Sequence, residues 1–567
     1  MAHTQAHNDA GTPASGSAVS GGALAFNARS MVHYWDEVVR RFGERPAVDF
    51  LGKGWSYGEM GEAVDRAAAG FRAMGVARGV RVGLCLPNTP YFVVCYFAVL
   101  KAGGTVVNFN PLYVERELAF QARDSQTRIM VTLDLKVIYD KVEAVRRDGL
   151  LDRIVVCSMA DILPQPKKLL FTLFKAKELA KVPDDHGHVS YADMIGKAPP
   201  PPFEAAPCDP HTDVAVIQYT GGTTGVPKGA LLSHANLSAN IEQMLCVFRD
   251  AQPGRERMLC VLPFFHVFAM TVAQNLSVAL GAEMVLMPRF ELTMLLKAIK
   301  RKRVTLFPGV PTIYTAINNS PKTRSYDLTS IGMCLSGGAA LPVEVKTQFE
   351  SLTGCTLVEG YGLTEASPVV TCNPLDEPPR AGSIGKPVAW TETEFRDLDD
   401  LSKLVPAGEK GELCVRGPQV MLGYWQQPEE TARAIEDGFL HTGDVGYVDE
   451  DGYIHLVDRI KDLIICSGYN VYPRVIEEAI YENEAVEEVI VIAIPDSYRG
   501  QAPKAFVKLK QGAELSADDL KAFLKDHLST IEMPREIEFR KELPKTLVGK
   551  LSKKELVEEE AAKRQGA

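Results

Sequence analysis

No run of about 18 consecutive apolar residues occurs in this 567-residue sequence, which excludes a helix long enough to cross a bilayer. The longest apolar stretch, Tyr91 to Leu100, is bounded by Pro90 and Lys101 and falls well short. No CxxC pair stands among the 11 cysteines, which are scattered and odd in number. That argues against a disulfide framework or a structural zinc site, and fits a reducing compartment. Positive charge is not in excess: 62 Lys and Arg against 72 Asp and Glu give a net charge of -10. The basic stripe of a general nucleic-acid binder is therefore missing, and no nucleic-acid partner is expected. Residues 1–25 are rich in Ala, Gly and Ser and have neither an apolar h-region nor an Arg-rich character. They read as a disordered tail rather than a targeting segment, and the expected location is cytoplasmic. No internal repeat is visible.

What is present is an ordinary globular balance, 46% hydrophobic and 24% charged, over a length that suggests roughly two to four domains. From about residue 30 to 390 short apolar runs alternate with helical patterns. Val80–Leu86, Thr105–Asn110, Arg153–Cys157, Val214–Ile217, Met258–Leu262, Glu283–Met287, Val304–Phe307, Gly332–Leu335 and Thr356–Glu359 read as strands, and Tyr91–Lys101 as a helix. The alternation predicts βαβ units in largely parallel sheets, which place ligands beyond the carboxyl ends of their strands. From about 390 to 460 the pattern turns to Gly, Asp and short β-like runs such as Gly411-Glu412-Leu413-Cys414-Val415. Beyond it, a helix over Arg474–Tyr481, strands over Val486–Ile494 and Lys504–Lys508, and a helix capped at Ser516 and running to near Leu528 predict a small α+β domain. The expected fold is therefore α/β. A large N-terminal domain of layered, mainly parallel α/β subdomains and a β-rich subdomain spans 26–460, and a small mobile C-terminal α+β domain spans 461–567.

Two segments break the rhythm. Pro199–Pro202 reads as a stiff polyproline connector. Before it, residues 167–177 are basic and amphipathic, with Leu169, Leu170, Leu173 and Phe174 on one helical face and lysines flanking it. Two readings stand: a helix lying on an anionic membrane surface, which would make the protein peripheral on the cytoplasmic face, or a surface helix docked on the protein's own core.

The run Tyr219-Thr220-Gly221-Gly222-Thr223-Thr224-Gly225-Val226-Pro227-Lys228-Gly229 follows an apolar strand. Its glycines allow close backbone approach, and successive N–H groups in such a loop make a concave anion site. Threonine hydroxyls and Lys228 add donors and charge, which points to a nucleotide phosphate. It is not a Walker A loop, because Pro227 precedes and Gly229 follows the lysine. The bland alternative is an ordinary tight strand-to-helix turn.

Further along stand Pro263-Phe264-Phe265-His266-Val267-Phe268, Ser336-Gly337-Gly338-Ala339-Ala340-Leu341-Pro342, Glu359-Gly360-Tyr361-Gly362-Leu363-Thr364-Glu365, Gly438-Phe439-Leu440-His441-Thr442-Gly443-Asp444, Asp458-Arg459-Ile460-Lys461-Asp462 and Pro544-Lys545-Thr546-Leu547-Val548-Gly549-Lys550. In this order the motifs resemble the adenylate-forming superfamily of acyl-CoA synthetases, peptide-synthetase adenylation domains and luciferases. The resemblance runs from about residue 30 to 560. Ile217-Gln218-Tyr219-Thr220, Glu359-Gly360-Tyr361 and Gly417-Pro418-Gln419-Val420-Met421-Leu422-Gly423-Tyr424-Trp425 are most similar to bacterial long-chain fatty-acid–CoA ligases.

The resemblance implies an enzyme with two half-reactions: a fatty acid and ATP give acyl-AMP and pyrophosphate, then CoA takes the acyl group and AMP leaves. It implies ATP and CoA as co-substrates, Mg²⁺ as cofactor and a homodimer. Lys550 then matches the catalytic lysine that bridges carboxylate and α-phosphate, and Glu365 the Mg²⁺ carboxylate. Thr220, Gly221, Gly222, Thr223, Thr224, Gly225 and Lys228 match the loop on the β- and γ-phosphates. Tyr361 would lie against adenine in a slot shaped by Gly338, Ala339 and Gly360, with Glu359, Gly362 and Thr364 among the ATP/AMP-binding residues, and Asp444 and Arg459 would hold the ribose. Without the other motifs, Tyr361 would read as a core aromatic and Asp444 with Arg459 as an exposed ion pair. His266, with Phe265, Phe268 and Gly337, borders the acyl channel as a gate or wall. A base role is less apt, because the substrate carboxylate is already ionised at neutral pH. Lys461 falls at the hinge, and Gly468 and Tyr469 line the CoA tunnel. Where many fatty-acyl ligases carry arginines after the catalytic lysine, this chain has Ser552-Lys553-Lys554. An aryl or medium-chain acyl-CoA ligase, or an acyl-AMP ligase that loads a carrier protein, remains an alternative.

Overall fold

The computed structural model describes residues 26–220, 227–375, 377, 380, 382–466, 469–496, 499–546 and 551–565. Two large sheets carry the first two-thirds of the chain. In the seven-stranded sheet, His188–Ser190, Arg153–Cys157, Ile129–Leu133, Arg81–Cys85, Thr105–Asn108 and Val214–Tyr219 run parallel, and Gly229–Ser233 closes the edge antiparallel. In the nine-stranded sheet, a parallel centre from Pro46–Phe50 through Glu283–Leu286 to Thr356–Gly362 is flanked by antiparallel edge strands. Helix Pro90–Lys101 begins with a proline at its first turn and is apolar all round, so it is buried along its whole length. Its one charge, Lys101, is neutralised by Asp36 and Asp65, each 2.7 Å away.

An antiparallel five-stranded sheet follows, containing Glu392–Arg396, Gly411–Arg416, Phe439–Val448 and Ile454–Arg459. One hydrophobic core extends from Met31 to Ile454. Separate clusters form around Ile464, Ile476, Val491 and Leu520, and around Ile492, Phe506 and Leu556. They bury the faces of a second five-stranded sheet built on the long Val486–Asp496 and Gly500–Leu509 pair.

Several sequence expectations change. The strand expected over Val304–Phe307 is Leu306–Gly309, because pairing with Met333–Ser336 carries it through Pro308. On the other side its ladder stops at Leu306, so the missing proline N–H has little to disrupt. The helix capped by Ser516 ends at Leu524 rather than near Leu528. Residues 199–202 lie in an irregular stretch pinned to the large domain just beyond, where the Phe203 N–H donates to Asp65. The glycine-rich run joins two antiparallel strands, so it is no strand-to-helix turn. The helix Lys167–Phe174 is held to the body by Lys167 on the Leu51 carbonyl, Lys168 on Asp161 and the partly buried Phe171. Its expected stripe does not dock on the core: Leu169, Leu170, Leu173 and Phe174 are 50–76% exposed. All cysteines are free, and Cys246 is the exposed one. Among the described residues, no helix is long and apolar enough to cross a membrane.

Candidate active site

The parallel pair Met333–Ser336 and Thr356–Gly362 sets Ser336 opposite Glu359. Gly337, Gly338 and Ala339 therefore leave one strand beside Glu359, Gly360, Tyr361 and Gly362 on the next, beyond the carboxyl ends, where the sequence placed the adenine slot. Glycine is required at two points. Gly338 has φ +84°, and a Cβ on Gly362 would sit 2.1 Å from the Pro368 carbonyl oxygen. Burial pushes the Glu359 carboxyl up to about 7, against the pull of Arg474.

Tyr361 donates its hydroxyl to Asp444 Oδ2, and Asp444 Oδ1 lies 3.0 Å from Arg459 Nε. Asp444 and Arg459 face each other across the Phe439–Val448 and Ile454–Arg459 pair. The Asp444 side chain is 6% exposed and that of Arg459 50%, so the carboxylate end of this pair is buried and the guanidinium end reaches solvent. The Asp444 charge raises Arg459 further. Burial and Asp444 together hold the Tyr361 phenol well above its ordinary value, so it stays a donor. Tyr361 is thus tied to the ribose candidates through its hydroxyl, while its partly buried ring packs against the main core.

Glu365 sits in the short turn Thr364–Ala366 that follows the strand Thr356–Gly362. Its Oε1 accepts the Tyr424 hydroxyl at 2.8 Å. Thr220 and Lys228 close the stem of the glycine-rich loop, with the Thr220 N–H on the Lys228 carbonyl at 2.9 Å. The Lys228 ammonium pairs with Glu430 and lies 5.1 Å from the centre of the Tyr424 ring. Gly221, Gly222, Thr223, Thr224 and Gly225 lie outside the described residues.

His266 follows Phe264 and Phe265 in a turn that receives the Phe268 N–H on its Nδ1 at 3.3 Å. The chain then enters a wholly buried π-helical stretch, Ala269–Asn275, a local distortion frequent at functional sites. Phe268 is buried against Gly337, where a Cβ would meet its ring at 3.1 Å. Of the four residues expected at the acyl channel, Phe268 and Gly337 thus meet beside Gly360, while the Phe265 carbonyl accepts from Gln218 at 2.9 Å.

Burial, then Arg459, lowers the Lys461 ammonium, while Asp462, Asp444 and Glu365 oppose that shift. Lys461 therefore stands within the field of the ribose and metal candidates. Beyond it, the Arg474 N–H donates to Asp458 at 2.8 Å, and Lys510 reaches Glu344 at 3.9 Å. Tyr469 stands 67% exposed on the Tyr469–Val471 strand. Gly468 and Lys550 lie outside the described residues. The flanks of the Lys550 segment are joined, with Lys545 bridged to Leu551. Lys553, in the Ser552-Lys553-Lys554 run, sits 3.6 Å from Glu477 and 3.8 Å from Asp462.

Sequence reasoning missed Glu412, Tyr424 and Glu430. Buried Glu412 takes the Gly443 N–H at 2.9 Å and meets His441 Nδ1 at 2.8 Å, which braces the turn that presents Asp444. A lone carboxylate inside the apolar run Gly411–Arg416 was the available signal. Tyr424 stood within a quoted motif but carried no spacing that tied it to Glu365.

The sequence profile of the AMP-binding enzyme family matches residues 35–425, and that of the AMP-binding enzyme C-terminal domain matches 475–550. A long-chain-fatty-acid–CoA ligase of Bacillus subtilis (strain 168) is 45% identical over 522 residues, covering 92% of each chain. The ligase of the same name from Salmonella typhimurium is 37% identical over 543 residues, 94% of this chain and 95% of that one. Among solved structures, ATP-bound MatB from Rhodopseudomonas palustris superposes with a TM-score of 0.81 at 29% identity, covering 93% of this chain and 98% of its own.

Proposed function

The chain belongs to the AMP-binding enzyme family, and from that premise we infer that it is an ATP-dependent long-chain-fatty-acid–CoA ligase. The observation that carries this is near-full-length similarity, 45% over 92% of both chains, to a ligase of that name. The carboxylate of a fatty acid attacks the α-phosphorus of ATP and pyrophosphate leaves. The CoA thiol then attacks the acyl carbonyl of the adenylate and AMP leaves.

The adenine ring is assigned to the slot of Gly338, Ala339, Glu359, Gly360, Tyr361, Gly362 and Thr364, and the ribose hydroxyls to Asp444 and Arg459. Support comes from their convergence at the ends of adjoining strands and from the buried Asp444 carboxylate. Thr220, the glycine-rich loop and Lys228 take the β- and γ-phosphates. Glu365 fits a magnesium ion chemically: a carboxylate oxygen is the hard ligand this cation prefers, and one carboxylate with substrate oxygens suffices. When bound, magnesium neutralises phosphate charge and so eases approach of a second anion. Lys550 supplies the positive charge where the two anions meet. His266, Phe265, Phe268 and Gly337 wall the acyl channel, and Gly468 and Tyr469 line the thiol path.

The domain boundary is assigned at 460/461, with Lys461 as hinge. The exposed apolar face of Lys167–Phe174, flanked by lysines, supports peripheral contact with an anionic bilayer, the reservoir of a long-chain acid. A homodimer follows from the resemblance, and light scattering tests it.

The deciding experiment supplies ATP, Mg²⁺ and acids of graded chain length, with and without CoA, and follows pyrophosphate and thioester. Pyrophosphate and thioester from long-chain acids are expected. Adenylate without thioester, or preference for a benzoate or cinnamate, overturns the assignment.

A further inference from the structure

The segment Met421 to Trp425 joins two parts of the nucleotide site that are distant in sequence. The Leu231 N–H donates to the Gly423 carbonyl, and the Leu422 N–H returns to Leu231, each at 2.9 Å, while the Trp425 N–H reaches the Gly229 carbonyl at 2.7 Å. The segment therefore lies antiparallel along Gly229–Ser233, the edge strand leaving the glycine-rich run, with an isolated bridge that sets Ala230 opposite Tyr424. At its other end the Met421 N–H donates to the Glu365 carbonyl at 2.8 Å. One side chain in it meets both charges. The Tyr424 hydroxyl donates to Glu365 Oε1 at 2.8 Å, and its ring lies 5.1 Å from the Lys228 ammonium.

We propose that Tyr424 is a positioning residue for adenylation: its hydroxyl fixes the Glu365 carboxylate for the cation, and its ring supports Lys228 for the phosphates. This rests on the assignment of Glu365 and Lys228 given above. The terminal torsion of a glutamate is soft and broadly populated. A hydrogen bond to one oxygen, from a phenol whose backbone is locked on both sides, removes that freedom before the cation arrives.

The test is Tyr424→Phe in the full-length enzyme. The Mg²⁺ concentration for half-maximal pyrophosphate formation is expected to rise about tenfold, the scale of a lost hydrogen bond to a charged group. Mn²⁺ binding to the enzyme with a non-hydrolysable ATP analogue, read by the spectrum of free Mn²⁺, should weaken by the same factor. Thioester formation from supplied acyl-AMP and CoA should not change. Phenylalanine keeps the ring, so the ATP KM should stay within about twofold, whereas Tyr424→Leu should raise it about threefold or more. An equal rise in both variants would show a packing role and overturn the proposal. Unchanged Mn²⁺ binding in Tyr424→Phe would also overturn it, as would an undiminished effect of that substitution in a Glu365→Gln background. If Glu365→Gln alone leaves the metal requirement intact, the assignment of Glu365 has failed and the proposal falls with it.

Discussion

Glu359 is the residue in the proposed nucleotide site whose carboxyl is raised furthest by its surroundings. Burial raises its carboxyl from 4.5 to about 7. A raised acid stabilises the fold fully below the unfolded value and loses that contribution as pH climbs through the folded one. The stability advantage of the native chain over Glu359→Gln should therefore be largest near pH 4.5 and fall by on the order of 2–3 kcal/mol by pH 8. Melting curves of both proteins across that range test it, and a pH-independent difference would refute the burial effect. The residues of this slot were legible because each stands inside a motif that names it. Glu412, Tyr424 and Glu430 were not, since what matters about each is a partner 29 to 202 positions away. Nothing in a linear pattern announces that Lys228, chosen for phosphate, rests on Glu430.

Among elements, the parallel strands were legible because each is a short β-branched or aliphatic run between turn residues. Where Pro308 and Gly309 extend a strand, composition argued against what pairing allowed. The π-helical turn Ala269–Asn275 was invisible, since it is apolar and buried like any core helix. The helix Lys167–Phe174 showed its stripe but not which way the stripe faced. Its outward leucines give a prediction at this scale. The double substitution Leu173→Glu with Phe174→Glu should reduce binding to vesicles containing anionic lipid at least tenfold, since two side chains worth about 1.5–3 kcal/mol each lose their apolar burial. Pyrophosphate formation with a short, water-soluble acid should be unaffected. Co-sedimentation measures the first effect, and equal binding by both proteins would remove the membrane contact.

Across the whole molecule, the sequence pattern changes at about residue 460, and the hydrophobic clusters lie to either side of that point, one before it and two after. How the small domain sits was not legible, because among the described residues it rests on a few polar contacts such as Arg474 with Asp458 and Lys510 with Glu344. Contacts so sparse suit a lobe that changes position between half-reactions. Lys550→Ala should then lower pyrophosphate formation about 100-fold or more while sparing thioester formation from supplied acyl-AMP. Parallel loss of both would contradict domain alternation. Cys246 closes the large-domain helix His234–Val247 as the single exposed thiol. A maleimide dye therefore finds one ready anchorage on the unmodified large lobe. A second fluorophore at an introduced cysteine on the other lobe, such as Asp518→Cys, would turn each swing during turnover into a change in energy transfer.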